Sequence, residues 1–181
     1  MVGLCFCRSS PSSVILPEQR YHRFIDSNVF VETLLERDLP SSRKKKAKNR
    51  KGRCESLIEQ ASSDTLICEL VIGEVVGVLQ RQIKEREVFR TALDKFFGWI
   101  ARFEIKSLDD ETFNRYSLLK PELHCGQKDT LLVAFAIRHG LTRFATMDSR
   151  IIGDGQTVRR ICEEKGWHPT LRFENVDGDG N

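Results

Sequence analysis

No stretch of the 181 residues is apolar for long enough to cross a bilayer, which takes about 20 mostly apolar residues. The best candidate, residues 65–79, is broken by Glu69 and Glu74, so a membrane span is not expected and a cytoplasmic protein is. Zinc-type spacing is missing too: the six cysteines (5, 7, 54, 68, 125 and 162) form one Cys-x-Cys pair but no Cys-x-x-Cys, and no His-x-x-x-His accompanies them. Reduced thiols fit this scatter better than a disulfide framework. Internal repeats are absent, and low complexity is confined to residues 41–53.

Acid is absent from that same segment, which holds Arg43, Lys44, Lys45, Lys46, Lys48, Arg50, Lys51 and Arg53. The other 21 lysines and arginines face 26 acids, so the body is mildly acidic and the net charge of +3 is local in origin. A local basic run points to one segment meeting a polyanion, rather than to a protein coated in positive charge. At 40% hydrophobic the chain can close one core without metals or disulfides. Residues 1–20, serine-rich and short of periodic pattern, are expected as an unstructured extension; residues 21–174 form the domain, with 41–53 as a basic insertion and 175–181 as a frayed tail.

From Tyr21 onward, short apolar runs alternate with segments of helical period, the pattern of parallel strands joined by crossover helices. Strands are expected at 23–26, 65–68, 104–107, 142–146 and 170–173. Helices are expected at 28–38, around Leu57, Ile58 and Ala61, and at 71–83, 86–103, 109–119, around Leu132 to Ile137, and at 156–165 before Gly166. The fold class is α/β: an open parallel sheet of about five strands between two helical layers. A helix over 28–38 would carry the chain about 16 Å from the strand ends, so the basic run is expected to start far from them and to return only by flexing.

Four acids sit oddly in this pattern. Asp26 ends the run Phe24-Ile25, where helix capping alone would explain it. Glu74 lies among apolar residues and glycines from Val71 to Leu79, where a lone carboxylate costs several kcal/mol unless compensated; a structural salt bridge is the alternative. Asp129 falls on the backward extension of the Leu132–Val133 stripe, at a helix N-terminus whose dipole favours acid. Asp148 follows the strand ending at Thr146, where a turn role would suffice. The conjunction is what matters: acids after strands one, two and four, or at the start of the helix entering strand four, converge at the carboxyl edge of a parallel sheet.

Four carboxylates in one crevice repel one another, and no basic residue in these motifs is expected to neutralise them. All-oxygen ligands select Mg²⁺ or Mn²⁺, ions that generate a hydroxide-like nucleophile and neutralise charge on a scissile phosphate. RNA or another nucleic acid is the large substrate that the basic run fits.

In order and spacing these residues resemble the PIN-domain nucleases, which include the toxins of toxin–antitoxin pairs. Phe24-Ile25-Asp26-Ser27-Asn28-Val29-Phe30, Glu69-Leu70-Val71-Ile72-Gly73-Glu74-Val75, Lys128-Asp129-Thr130-Leu131-Leu132-Val133-Ala134 and Thr146-Met147-Asp148 match its four motifs in order. The resemblance implies metal held by Asp26, Glu74, Asp129 and Asp148, supported by Asn28 and Thr146. It also implies strand order 3-2-1-4-5 and cleavage of RNA, with an antitoxin-type inhibitor and a homodimer as further partners. Two positions depart: Glu69 stands where serine or threonine is usual, which leaves it to pair with a basic residue, and Ile151 stands where an aromatic often follows the last acid. A non-catalytic scaffold binding RNA or protein is the alternative. A phosphotransferase of the haloacid dehalogenase type fits less well, since Asn28 stands where its second aspartate belongs. The phenylalanine-rich helix, with Phe89, Leu93, Phe96, Phe97 and Ile100 as its stripe, is expected in the core or at a dimer face; His124 and Cys125 lack visible partners.

Overall fold

The structure, a computed structural model, describes residues 21–35, 41–167 and 171–178, so the expected extension 1–20 and the end of the tail lie outside the described residues. Among these residues five strands, β1 (Arg23–Ile25), β2 (Thr65–Cys68), β3 (Glu104–Lys106), β4 (Arg143–Thr146) and β5 (Arg172–Asn175), form one sheet. It is parallel throughout and ordered β3-β2-β1-β4-β5, as expected. The helices are α1 (Ser27–Leu34), α2 (Ser41–Gln60), α3 (Glu69–Gln82), α4 (Arg86–Ile100), α5 (Asp110–Leu119), α6 (Gln127–Arg138), α7 (Ser149–Gly153) and α8 (Gly155–Lys165).

The inner strands read as unbroken apolar runs because both faces are covered. Phe24, Ile25, Leu66, Ile67, Phe144 and Ala145 are all fully buried. Phe24 pairs in register with Leu66 and Phe144, and its ring lies 4.8 Å from that of Phe144 and 5.9 Å from Phe135 on α6. Helix α1 packs on α2, α3 and α4, and α5 packs on α6. Right-handed crossovers place the first group on one face of the sheet and the second on the other. On the first face Phe30 of α1 meets Phe96 of α4 edge-on at 5.3 Å. The buried stripe of α4 runs through Ala92, Phe96, Trp99 and Ile100, whereas Phe97, expected on the stripe in the core or at a dimer face, is 46% exposed.

Three local expectations change. The basic insertion is helical rather than a flexing segment: α2 continues without a break from Ser41 through the whole run, with the side chains of Arg43 and Lys44 outside the described residues. Lysine, arginine and alanine favour helix, and buried Cys54, Ile58 and Ala61 fasten its far half to the core. Residues 175–178 do not fray. Asn175 closes β5, Val176 is buried, and Asp177 pairs with Arg50 and Arg53. Gly178 holds φ +73°, and a Cβ there would stand 3.1 Å from the Arg53 guanidinium, so only glycine closes this contact without strain. Glu69 takes a neutral partner, the Ser107 hydroxyl at 2.7 Å, rather than a basic one.

Candidate active site

Asp26 leaves β1 at its carboxyl end and caps α1, accepting the Ser27 amide at 2.7 Å. Its other oxygen accepts the Thr146 hydroxyl at 2.7 Å and the Asn28 side-chain amide at 2.8 Å. Because the Thr146 hydroxyl gives its proton to Asp26, it accepts from the Asp148 amide and from Asn28, both at 3.0 Å. Asn28 in turn accepts the Met147 amide at 3.2 Å, which fixes which way its side chain faces. One polar knot therefore joins the ends of the neighbouring strands β1 and β4.

Glu74 enters from α3 and is tied to this knot by Ser27, whose hydroxyl donates to Glu74 at 2.6 Å and lies 3.4 Å from Asp26. Asp129 enters from the first turn of α6, where its carboxylate accepts the Gly126 amide at 3.2 Å. A Cβ on Gly126 would fall 2.9 Å from that carboxylate, so the N-cap glycine makes the approach possible. Asp148 caps α7 and accepts the Arg150 amide at 2.8 Å. The bland roles weighed from the sequence, helix capping and ion pairing, are thus filled by the same carboxylates that share the carboxyl edge.

The charges around the acids differ from the expectation that nothing basic would neutralise them. Lys128 is ion-paired and hydrogen-bonded to Glu74. The Arg150 guanidinium binds Asp148 at 2.7 Å and lies 3.8 Å from Asp129. Both cations flank motif residues in sequence, Lys128 directly before Asp129 and Arg150 two places after Asp148. Burial first, and then the charges of Glu74 and Asp129, push the Asp26 carboxyl up to about 6 against the opposing hydrogen bonds of Thr146 and Ser27. Asp148 is held below the usual carboxylate range, chiefly by its hydrogen bonds to the Arg150 side chain.

Sequence reasoning left His124 and Cys125 without a partner and passed over Asp154. In the fold that acid is 4% exposed and accepts the amides of His124 and Cys125, each at 2.9 Å, and meets His124 Nδ1 at 3.0 Å. Lys120 adds a hydrogen bond to the Cys125 carbonyl at 3.1 Å. These contacts pin the loop that brings the chain back to the acid edge and starts α6, which sets where Asp129 stands. Asp154 lies between Gly153 and Gly155, where a turn role explains it, so only the fold reveals its place.

The basic residues divide. Arg50 lies 3.1 Å from Glu32 and 3.6 Å from Asp177, while Arg53 donates to the Val176 carbonyl at 3.0 Å and to the Asp177 carbonyl. Lys45, Lys46 and Lys48 are exposed and Lys51 is half-buried.

Residues 23–153 match the family model of the PIN domain. The chain belongs to the PIN-domain family, the nuclease family that its four motifs resemble. Among curated proteins none matches it. Solved structures share the fold at low identity. FitAcB from Neisseria gonorrhoeae is 15% identical at a TM-score of 0.58, covering 85% of this chain and 97% of that one. DNA-bound VapBC from Salmonella typhimurium is 17% identical at 0.55, covering 86% and 98%. VapBC2 from Rickettsia felis, bound to a DNA fragment from its promoter, is 19% identical at 0.50, covering 84% and 96%.

A hard, oxygen-preferring cation would suit this set of four carboxylates, without an imidazole or thiolate among them, better than zinc or copper. Among the described residues no three acidic, histidine or cysteine side chains are placed so that they could hold a metal ion, so binding one would require these acids to exchange their present partners. Lys128 and Arg150 supply the positive charge that the acids share.

Proposed function

We propose that this protein is a divalent-metal-dependent endoribonuclease. The observation that carries the reading is the single network, from Glu74 through Ser27, Asp26 and Thr146 to Asp148 and through Arg150 to Asp129, gathered at one edge of the sheet. Asp26, Glu74, Asp129 and Asp148 are the proposed ligands of Mg²⁺ or Mn²⁺, which when bound would supply an activated water and neutralise charge on the scissile phosphate. Asn28, Thr146 and Ser27 aim Asp26 and keep its ionised form hydrogen-bonded. Lys128 and Arg150, released from the acids, are long enough to turn toward an RNA phosphate. The substrate class is supported by the basic run on α2.

Purified protein incubated with mixed RNA should cut it only with Mg²⁺ or Mn²⁺ present, and excess chelator should stop the reaction. Cleavage that persists unchanged in chelator removes the metal from the mechanism. One observation favours the scaffold reading: three of the four acids already have a cationic partner from the chain itself. RNA binding without any cleavage across a metal titration would select it. The phosphotransferase reading loses ground, because Asn28 donates to Asp26 where a second carboxylate would be needed.

A protein inhibitor of the antitoxin kind is proposed for the groove whose apolar lining of Val31, Leu34, Val78 and Val88 is bordered by Gln82, Lys84 and Glu85. A homodimer is proposed through the exposed Phe113 and Leu118 of α5. No described helix is long and apolar enough to cross a membrane, in keeping with the cytoplasmic site proposed for such an enzyme.

A further inference from the structure

Helix α2 runs against the direction of the strands. Gln60, its last residue, lines a depression with His22, Arg23, Thr142 and Arg143 at the amino ends of β1 and β4. Cys54 lies level with the opposite edge: its sulfur is 3.6 Å from that of Met147, the residue between Thr146 and Asp148. Arg53 reaches the Val176 carbonyl, directly beyond β5. At 1.5 Å per residue the part of α2 before Cys54 therefore extends about 20 Å past the edge that carries the acids, with Lys45 about 14 Å out and Lys51 about 5 Å out. The basic run starts as far from the carboxylates as its place in the sequence suggested, but it comes back toward their edge as a continuous helix rather than by flexing.

The lower part of this arm is held on several sides. Arg50 sits between Glu32 and Asp177, and Arg53 is clasped by residues 176 and 177. Lys95 pairs with Glu55 at 2.6 Å, and Arg102 donates to the Ile58 carbonyl at 3.1 Å. The upper part carries cations at helical spacings of three and four, and like charges so placed repel by roughly 0.2–0.5 kcal/mol per pair. A polyanion lying along the arm removes that cost.

We propose that α2 is a rigid arm that holds RNA beyond the scissile phosphate through Lys45, Lys48 and Lys51, so that affinity depends on how far the RNA extends from the acid crevice. This rests on the ribonuclease reading for the identity of the polyanion. The crevice repels phosphate unless metal is bound, whereas the arm attracts it throughout. At the stacked spacing of 3.4 Å per phosphate, about four nucleotides past the crevice bring a strand level with Lys45. Arg50 and Arg53 are positioning residues here, committed to holding the arm.

The test is fluorescence anisotropy in excess chelator, where nothing is cut, with end-labelled oligouridylates from about four to about sixteen nucleotides. Affinity of the unaltered protein should rise with length and then level off. The combined variant K45Q/K48Q/K51Q, checked for an unchanged melting curve, should lose the rise, and its salt slope should fall by roughly 0.7 per contact removed, about two in all. An unchanged length dependence and salt slope would overturn the proposal. So would tighter binding of duplex DNA or of polyglutamate than of the long RNA, which would assign the arm to DNA or to an acidic protein. Cleavage of the same RNAs after adding Mn²⁺ is scored apart: length-dependent binding without cutting sinks the ribonuclease reading alone, and cutting with flat binding sinks the arm alone.

Discussion

Thr146 and Asp26, 120 residues apart in sequence, share one hydroxyl proton across 2.7 Å, and the same hydroxyl receives the Asp148 amide. Removing it leaves a buried carboxylate oxygen and an amide short of a partner, at a cost of about 1–3 kcal/mol. Thr146→Val should therefore lower both the urea midpoint and the proposed nuclease rate, while Thr146→Ser keeps both near the starting values. A loss in Thr146→Ser with none in Thr146→Val would mean that the methyl group, not the hydroxyl, matters.

Asp26→Asn and Asp129→Asn keep shape and remove charge. RNA cleavage in Mg²⁺ should fall by orders of magnitude in each, with the melting temperature of the metal-free protein unchanged or raised, because each relieves repulsion among the acids. Chelator should have no further effect on the residual rate. Variants that unfold instead would return the acids to a structural role as ion-pair partners.

Asp154→Ala strips two buried amides, those of His124 and Cys125, of their acceptor. Destabilisation of about 1–3 kcal/mol is expected from denaturant titration. Because the freed loop no longer fixes the start of α6, Mn²⁺ affinity read by calorimetry should weaken as well. Affinity that stays constant while stability falls would separate the loop from the site.

His139 gives a pH dependence with a definite sign. Its ring packs edge-on to Phe135 at 4.5 Å, and burial, then the charges of Lys106 and Arg138, hold its pKa down at about 4, against an ordinary value of 6.5. Above about 6.5 the ring is neutral both folded and unfolded. As pH falls from there toward 4 the unfolded chain takes up a proton that the native one refuses, so stability declines across that window and levels below it. Urea midpoints measured from pH 7 to pH 4.5 should drop more steeply for the unaltered protein than for His139→Gln; superimposable slopes would assign the acid sensitivity to other groups.

The sheet was legible because Phe24-Ile25, Leu66-Ile67 and Phe144-Ala145 are apolar on both faces, a pattern that only covered strands need, while the strand order came with the motif resemblance. The four acids stood out by misfit with their neighbours. Ser27, Lys128, Arg150 and Asp154 did not, since each acts on a residue brought close only by the fold. Lys128 was the most readable of them, lying beside Asp129 in its own motif. The basic run read as a flexing insertion because like charges carry no apolar period; its contacts to Glu32 and Asp177 are ones that sequence spacing cannot connect to it. The glycines and aspartates of the tail suggested fraying for the same reason, although Gly178 serves there as a close-fitting contact.

The clasp between Arg53 and residue 176 joins positions 123 apart, which gives the protein an order of completion during synthesis. Helix α2 leaves the ribosome early, while β5 and the residues after it emerge only once residues 171–178 have been translated. Until then Arg50 has Glu32 but not Asp177, and Arg53 has neither of its carbonyl acceptors from 176 and 177. A nascent chain thus exposes α2 before its clasp exists, and the arm is held on this side only after residues 176 and 177 have emerged.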